Sequence, residues 1–379
     1  MNQKKIGILT LYHKNFNMGG LLQAYALQKS LKKLGYDAEM IAFDYKRYYL
    51  INGKGSNTPK RSLLRKIVRK IRSFQEQKKD CFAERKKNFE RFMKGIPHSS
   101  VVFYSAEEFS KYYETIIVGS DQVWGEWLPE HALRDFLLEG IDPKVEKYSY
   151  AASIGTDQIN HKLDKIYIEA LKKFKYVSVR EVSAKKEIQK LLPKLEVSVD
   201  LDPTLLLTPD EWKTLLNKQA GEKKYIFCYF LGKEREYREQ AQKLAKRYNL
   251  PIVTMPYIMD NKIEGYDDEF GEYRDYSSGP EGFISAIYNA EIVITDSFHA
   301  MLFSSQFHKK FYVLARVNAE TACTNKRITD YITQFGLEAQ FIDVSSLNQI
   351  DIEKRVDFSV FDNKISGLRK QSLAYLKKI

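Results

Sequence analysis

KKIGILT (4–10), LLQAYALQKSLKKL (21–34) and DAEMIAFDY (37–45) form the stretch that decides the architecture of this chain. The first segment is a short β-rich run. It leads into a turn-forming loop, Tyr12 to Gly20, that contains Asn15, Asn17, Gly19 and Gly20. In the second, Leu22, Tyr25, Ala26, Leu27, Leu31 and Leu34 recur near helical spacing, and Gly35 is the stop. The third returns to strand. Strand, loop, helix and strand make a βαβ unit, and a crossover of this length implies parallel strands.

The pattern recurs outward from there. ETIIVGS (114–120), EKYSYAAS (146–153) and YVSVRE (176–181) read as strands, with amphipathic helices beginning at Leu163 and Val182. A second series starts at Lys223: strand KKYIFCYFLG, a charged helix from Lys233 to Tyr248, and strand LPIVTMP. After a polar, Gly-rich stretch (257–279) come a helix from Glu281 to Asn289, strand EIVIT, a helix through Phe307 and strand KKFYVLA. Two α/β halves, 1–210 and 211–379, are therefore expected. Lys364 to Ile379 form a terminal helix free to pack back on the first half.

At 379 residues the chain has room for two or three domains of roughly 150 residues each. With 44% hydrophobic and 29% charged residues it is an ordinary globular mixture, which excludes disordered and fibrous classes. No apolar run approaches the roughly 18 residues of a membrane span. Ile6 to Leu11 is about half a signal-peptide core. Cys81, Cys228 and Cys323 are scattered and the six histidines dispersed, so reduced thiols, no metal site and a cytoplasmic location are expected.

A net charge of +12 raises nucleic-acid binding, but the charge is local. Between Lys60 and Lys94 stand fourteen Lys or Arg and four Asp or Glu, a balance of +10, and no nucleic-acid motif accompanies them. Within 57–96, Leu63, Leu64, Ile67, Val68, Ile71 and Phe74 share one helical face, and Phe82, Phe89, Phe92 and Met93 form a second apolar set. A helical hairpin inserted between strands is expected. It either packs on the first half with its charges in water, or presents a basic amphipathic surface to anionic lipid or acidic polysaccharide.

In open α/β sheets ligands bind beyond the carboxyl ends of the strands. Four loops leave such ends. HKNFNMGG (13–20) has small residues that would let backbone approach a ligand, with Asn17 as a hydrogen-bonding group; it matches neither GxGxxG nor GK[ST]. VGSDQVW (118–124) ends a strand with Gly119, Ser120 and Asp121, equally a cap or an Asx-turn. In SVRE (178–181), Arg180 closes an apolar strand and needs an anion, which Glu181 is not expected to supply because strand side chains alternate. A carboxylate or phosphate ligand fits a guanidinium, and a structural ion pair is the plainer alternative. In EIVITDSFHAMLFSSQF (291–307), Thr295-Asp296-Ser297 is capping composition, and it puts His299 in the first turn beside free N–H groups.

Taken together and in order, these segments resemble the polysaccharide pyruvyl transferases. The resemblance rests on the NxGG-type loop with QAYALQKSLKKLGY, VGSDQVW, YAASIG (150–155), VSVRE, DPTLLLTPDEW (202–212) and ITDSFHAMLFSSQFHKKF (294–311), and runs from Lys4 to about Gly336. Gly20 stands where many members have Asp, and Ala300 where Gly is common. The resemblance implies two Rossmann-like domains facing across a cleft, the GT-B-like arrangement. It implies phosphoenolpyruvate as donor, no cofactor, and a sugar or lipid-linked oligosaccharide as acceptor of a pyruvate ketal. His299 and Asp121 are then the catalytic candidates, with Asp296 as competitor for the carboxylate role. Arg180, Asn17, Gly19, Gly20, Ser120 and Ser297 are candidates for binding. A nucleotide-sugar glycosyltransferase and a non-catalytic carbohydrate-binding relative are the alternatives. Lipid-linked acceptors would bring the 60–94 stretch to the inner face of an anionic membrane.

Overall fold

A computed structural model describes residues 5–46, 68–217, 224–259, 262–263, 265–316 and 325–379. In the first half β1 (Ile6–Leu9), β2 (Ala38–Met40), β3 (Thr115–Val118) and β4 (Glu146–Ser149) form a parallel sheet in the order β2-β1-β3-β4. β5 (Val177–Val179) and β6 (Val197–Val199) pair with each other and extend this layer through bridges Tyr148–Tyr176 and Ala152–Val179. The second half holds β7 (Ile226–Tyr229), β8 (Ile252–Thr254), a small antiparallel hairpin of β9 (Ile258–Met259) and β10 (Lys262–Ile263), β11 (Tyr273–Arg274), β12 (Ile292–Thr295), β13 (Lys310–Leu314) and β14 (Phe341–Ile342). Its six-stranded sheet runs β11-β8-β7-β12-β13-β14, again all parallel. IGIL, TIIV and IVIT are buried at every position, as strands covered by helices on both faces must be.

The strand order reverses between β1 and β3 in the first sheet and between β7 and β12 in the second. Such reversals open the crevice in which ligands of open α/β sheets bind. The loops after β1, β3 and β12, read above as site candidates, leave these two switch points.

The helices are α1 (Met18–Lys33), α2 (Val68–Lys94), α3 (Ala106–Ser110), α4 (Glu130–Phe136), α5 (Asp164–Leu171), α6 (Val182–Leu191), α7 (Pro209–Lys213), α8 (Arg235–Tyr248), α9 (Pro280–Asn289), α10 (Phe298–Gln306), α11 (Asn325–Phe335) and α12 (Ser359–Leu376). One apolar cluster joins the halves: Leu22 and Leu27 of α1, Trp212, Phe227, Phe283 and Phe303 belong to it. Separate clusters pack the outer faces of the two sheets.

Over its described residues, 68–94, the insertion runs as one helix and not as a hairpin. α2 is one helix of 27 residues, because Gln75 to Cys81, between the two apolar sets, contains neither Gly nor Pro to break it. Leu63, Leu64 and Ile67 lie outside the described residues, as do the side chains of Val68, Ile71 and Phe74. From Cys81 onward α2 ties the halves together rather than packing on the first alone. Phe89 and Phe92 enter the shared core. Arg85 donates to Pro256 O at 2.8 Å and to Asp275 O, and Asn88 Nδ2 donates to Ser277 O at 2.9 Å.

α12 also crosses over. Phe361 near its start packs on Phe335, ring centroids 5.0 Å apart. Further on, Arg369 donates to Leu205 O, Ser372 Oγ accepts the Leu201 amide at 3.0 Å, and Tyr375 Oη donates to Ser149 O at 2.8 Å. No helix among the described residues is long and apolar enough to cross a membrane.

Candidate active site

The loop after β1 is shorter than its composition suggests. Asn17 Oδ1 accepts the Gly20 amide at 2.9 Å, which caps α1 and starts it at Met18, so Gly19 and Gly20 lie in the first helical turn rather than in a turn before it. Their small size serves protein groups. A Cβ on Gly19 would stand 2.0 Å from His299 Nδ1, and one on Gly20 would stand 2.5 Å from Asn15 Nδ2 and 3.5 Å from Asp121 Oδ2. Consecutive Cα atoms are about 3.8 Å apart. The His299 imidazole and the Asp121 carboxylate, the two catalytic candidates, therefore both lie against a single dipeptide, Gly19-Gly20. Asn15 fills the space where a longer residue at position 20 would go.

The loop after β3 holds Asp121 by its backbone. Gly119 has φ +118°, the Gly119–Ser120 peptide is cis, and Asp121 has φ +68°. No helix starts here, so Asp121 is not a cap. Its carbonyl accepts the Val123 and Ser153 amides at 2.8 and 3.0 Å, while its side chain faces Gly20. Ser120, expected to contact substrate, is turned inward: it has no exposed surface, and its hydroxyl donates to Ala151 O at 2.7 Å. It anchors the loop.

On the opposite side, Ser297 caps α10 by accepting the Ala300 amide, and His299 follows in the first turn as the TDS composition predicts. Asp296 does not cap. Its two carboxylate oxygens accept the Leu231 and Gly232 amides, both at 2.7 Å, and Arg316 Nε lies 3.3 Å away. Fully buried and so engaged, Asp296 braces the loop after β7 and is not available as a base.

Arg180 is buried and already paired. Its Nε donates to Glu181 Oε1 at 2.8 Å and its Nη1 to Asp202 Oδ2 at 2.9 Å, while the guanidinium lies 4.4 Å from the Phe298 ring centroid. Glu181 does reach it. β5 ends at Val179, so strand alternation no longer governs the next two residues, and the long arginine side chain folds back. Arg180 Nη2 has no hydrogen-bond partner among the described residues.

Three charged residues that carried no assigned role complete the cluster. Asp202 opens the DPTLLL segment. Burial would raise its pKa, but the facing His299 imidazole, Arg180 and the Thr204 amide outweigh that and hold it well below the usual carboxylate range. His299 Nε2 stands 3.6 Å from Asp202 Oδ2, longer than a hydrogen bond. Arg316 Nη2 donates to Asp296 O at 3.1 Å. Arg327, at the start of α11, is buried with its guanidinium 5.6 Å from the Phe298 ring centroid. Burial, then the Arg316 and Arg180 charges, push its pKa down to about 10. Its Nε has no hydrogen-bond partner among the described residues. A recess of about 30 Å³ lies between Arg180, Asp202, Phe298, Arg327 and Tyr331, room for an oxygen-sized group.

Two Rossmann-like halves whose switch points meet at Gly19 and His299 place the protein in the GT-B-like class. Solved structures agree: UDP-GlcNAc 2-epimerase from Methanocaldococcus jannaschii matches with 14% identity over 98% of this chain and 99% of its own, TM-score 0.55. A putative UDP-N-acetylglucosamine 2-epimerase from Listeria monocytogenes matches with 11% identity over 97% and 90%, TM-score 0.51. At such identities the likeness is one of fold alone. Residues 17–317 match the polysaccharide pyruvyl transferase family, and the chain belongs to it; it is a transferase. No curated protein matches the sequence.

Proposed function

We propose that this protein transfers pyruvate from phosphoenolpyruvate to two hydroxyls of a sugar, in a cell-surface polysaccharide or its lipid-linked precursor, closing a cyclic ketal. The observation that carries the reading is Arg327: a buried guanidinium whose Nε has no hydrogen-bond partner among the described residues, close enough to Arg180, Arg316 and Asp121 to feel their charges. Leaving such a charge without an anion is costly, and the donor brings both a phosphate and a carboxylate. Arg327 and Nη2 of Arg180, which has no hydrogen-bond partner among the described residues, are assigned to the donor. Asp202 and Glu181 hold the Arg180 fork in place.

In the reaction C3 of the enol takes a proton, balanced by the one that the first attacking hydroxyl gives up to Asp121, and C2 becomes oxocarbenium-like. A sugar hydroxyl attacks C2 and gives up its proton, with Asp121 as the carboxylate beside it. The C2–O bond to phosphate then breaks. His299 stabilises the departing phosphate, which keeps the second proton released when the other hydroxyl closes the ring. The chain's own side chains supply every group in this scheme, and no cofactor enters it. We place the enzyme in the cytoplasm, with the basic stretch 60–94 reaching anionic lipid at the inner membrane face.

Thermal-shift titration tests the donor. Phosphoenolpyruvate at 100 times its dissociation constant should stabilise the protein by about 2.7 kcal/mol. Arg180→Ala and His299→Ala should weaken its binding by about ten- to a hundredfold, the loss of a charge-assisted hydrogen bond. Wild-type affinity in both variants, read by calorimetry, rules the site out. Because the fold matches UDP-sugar enzymes, UDP-N-acetylglucosamine is the control: stabilisation by it and not by phosphoenolpyruvate would favour a glycosyltransferase. Silence with both would point to a non-catalytic relative.

A further inference from the structure

Beside the His299–Asp121 pair lies an open cleft of about 400 Å³, between the loop after β1, α2 and the segment after β8. Among the described residues its charged lining has one sign: Lys14, Lys46, Arg85 and Lys86, with no carboxylate. Lys14 is spent on Asp44 at 2.6 Å. Lys86 stands at the rim, 62% exposed and 3.9 Å from Glu90, too far to be held there. Arg85 is at the floor and only 8% exposed. Its terminal nitrogens donate to two backbone carbonyls, and among the described residues its Nε has no hydrogen-bond partner and no carboxylate lies at ion-pair distance. Burial lowers its pKa, and the charge of Asp275 offsets that only in part. The walls are aromatic: Phe16, Phe82 and Tyr257 line the cleft, and Phe16 is 42% exposed.

A neutral ligand would not answer the buried guanidinium. An inorganic anion would leave the aromatic walls idle. A saccharide carrying a phosphate answers both, since a sugar ring offers an apolar C–H face to an aromatic wall. Asn17 and Met18 line this cleft, and Gly19, the next residue, touches His299. The cleft thus ends one residue along the chain from the contact with His299.

We propose that this cleft is the acceptor subsite and takes a glycosyl phosphate, its anion on Arg85, Lys46 and Lys86 and its sugar ring against Phe16 and Phe82. The assignment rests on the pyruvyl-transfer reading and gives the insertion helix a role in choosing the acceptor.

Calorimetry on the full chain tests it, with glucose, galactose and N-acetylglucosamine 1-phosphates, the three parent sugars and inorganic phosphate. At least one glycosyl phosphate should bind at least about tenfold more tightly than its parent sugar and than phosphate, also with saturating phosphoenolpyruvate present. The Lys46→Gln/Lys86→Gln variant, altered only at the surface, should weaken that binding by about 10- to 100-fold and leave phosphoenolpyruvate affinity unchanged. The proposal is overturned by any of four results: no glycosyl phosphate binds, phosphate binds as well, phosphoenolpyruvate displaces the sugar phosphate, or the double variant binds like wild type. Failure of phosphoenolpyruvate itself to bind would count against the donor assignment, and the sugar-phosphate measurements would still read the cleft.

Discussion

The two halves bring their switch points to one cleft but build its rims by different means. The first half uses backbone. Its rim contains Lys14 at φ +50°, Asp121 at φ +68° and Ala151 at φ +46°, conformations that side chains other than Asn, Asp and Gly seldom adopt. The second half uses charge on regular elements: a capped helix carries His299, while Asp296, Arg316 and Arg327 lie in ordinary conformations around it, and Arg180, Glu181 and Asp202 of the first half join that charge cluster. Shape should therefore decide which substitutions the first rim accepts, and ion balance which ones the second accepts.

Gly19→Ala should break the shape rule most severely. Its methyl group would fall 2.0 Å from His299 Nδ1, so the imidazole must leave its place. Activity should fall by about 10²–10⁴, the range of a lost acid–base group, while far-UV circular dichroism stays unchanged. More than a tenth of wild-type turnover would mean that His299 is not needed where it stands.

Asp121 separates shape from charge. Asn tolerates a positive φ, so Asp121→Asn should melt like wild type yet lose about 10²-fold or more in turnover. Asp121→Ala should lose the same activity and, in addition, about 1 kcal/mol of stability from the left-handed backbone, read by urea titration. Equal stability of the two variants would remove the backbone argument.

The charge rim is probed by Arg327→Gln. Donor affinity should drop by about ten- to a hundredfold, with a smaller change in turnover at saturating donor. Unchanged affinity would transfer the anchor to Arg180 alone.

Asp135, away from both rims, is a control with the smallest expected effect. Burial, opposed by the Ala106 amide and assisted by Glu108, raises its pKa to about 6. A carboxyl whose folded pKa is raised favours the folded state while protonated, and loses that contribution as pH climbs from its ordinary value through about 6. Asp135→Asn should match wild type near pH 4 and exceed it by ~2 kcal/mol above pH 7. Melting curves with the same difference at both pH values would refute this.

The parallel strands were legible because strands buried on both faces read as apolar runs. The start of α10 was legible because Ser297 is a local cap. The start of α1 was misread because two glycines look like a turn unless one knows that His299, far along the chain, needs the space over Gly19. α2 was divided in two because a charged run separates its apolar sets, although Gln, Glu and Lys are good helix formers. Glu181 was set aside because the strand was read two residues too long. Asp202, Arg316 and Arg327 escaped notice because what marks them, their mutual distances, is set by tertiary packing and leaves no local pattern.

The crossing of α12 has a consequence for the order of assembly. On a ribosome the first sheet can pair all six of its strands soon after Val199 emerges, but the partners of Ser149 O and the Leu201 amide arrive only with Tyr375 and Ser372. These two groups of the first half thus wait for their partners until nearly all of the second has been made. During synthesis the first half is an unfinished platform, and the helix that completes it can dock only after the cleft has gained its other wall.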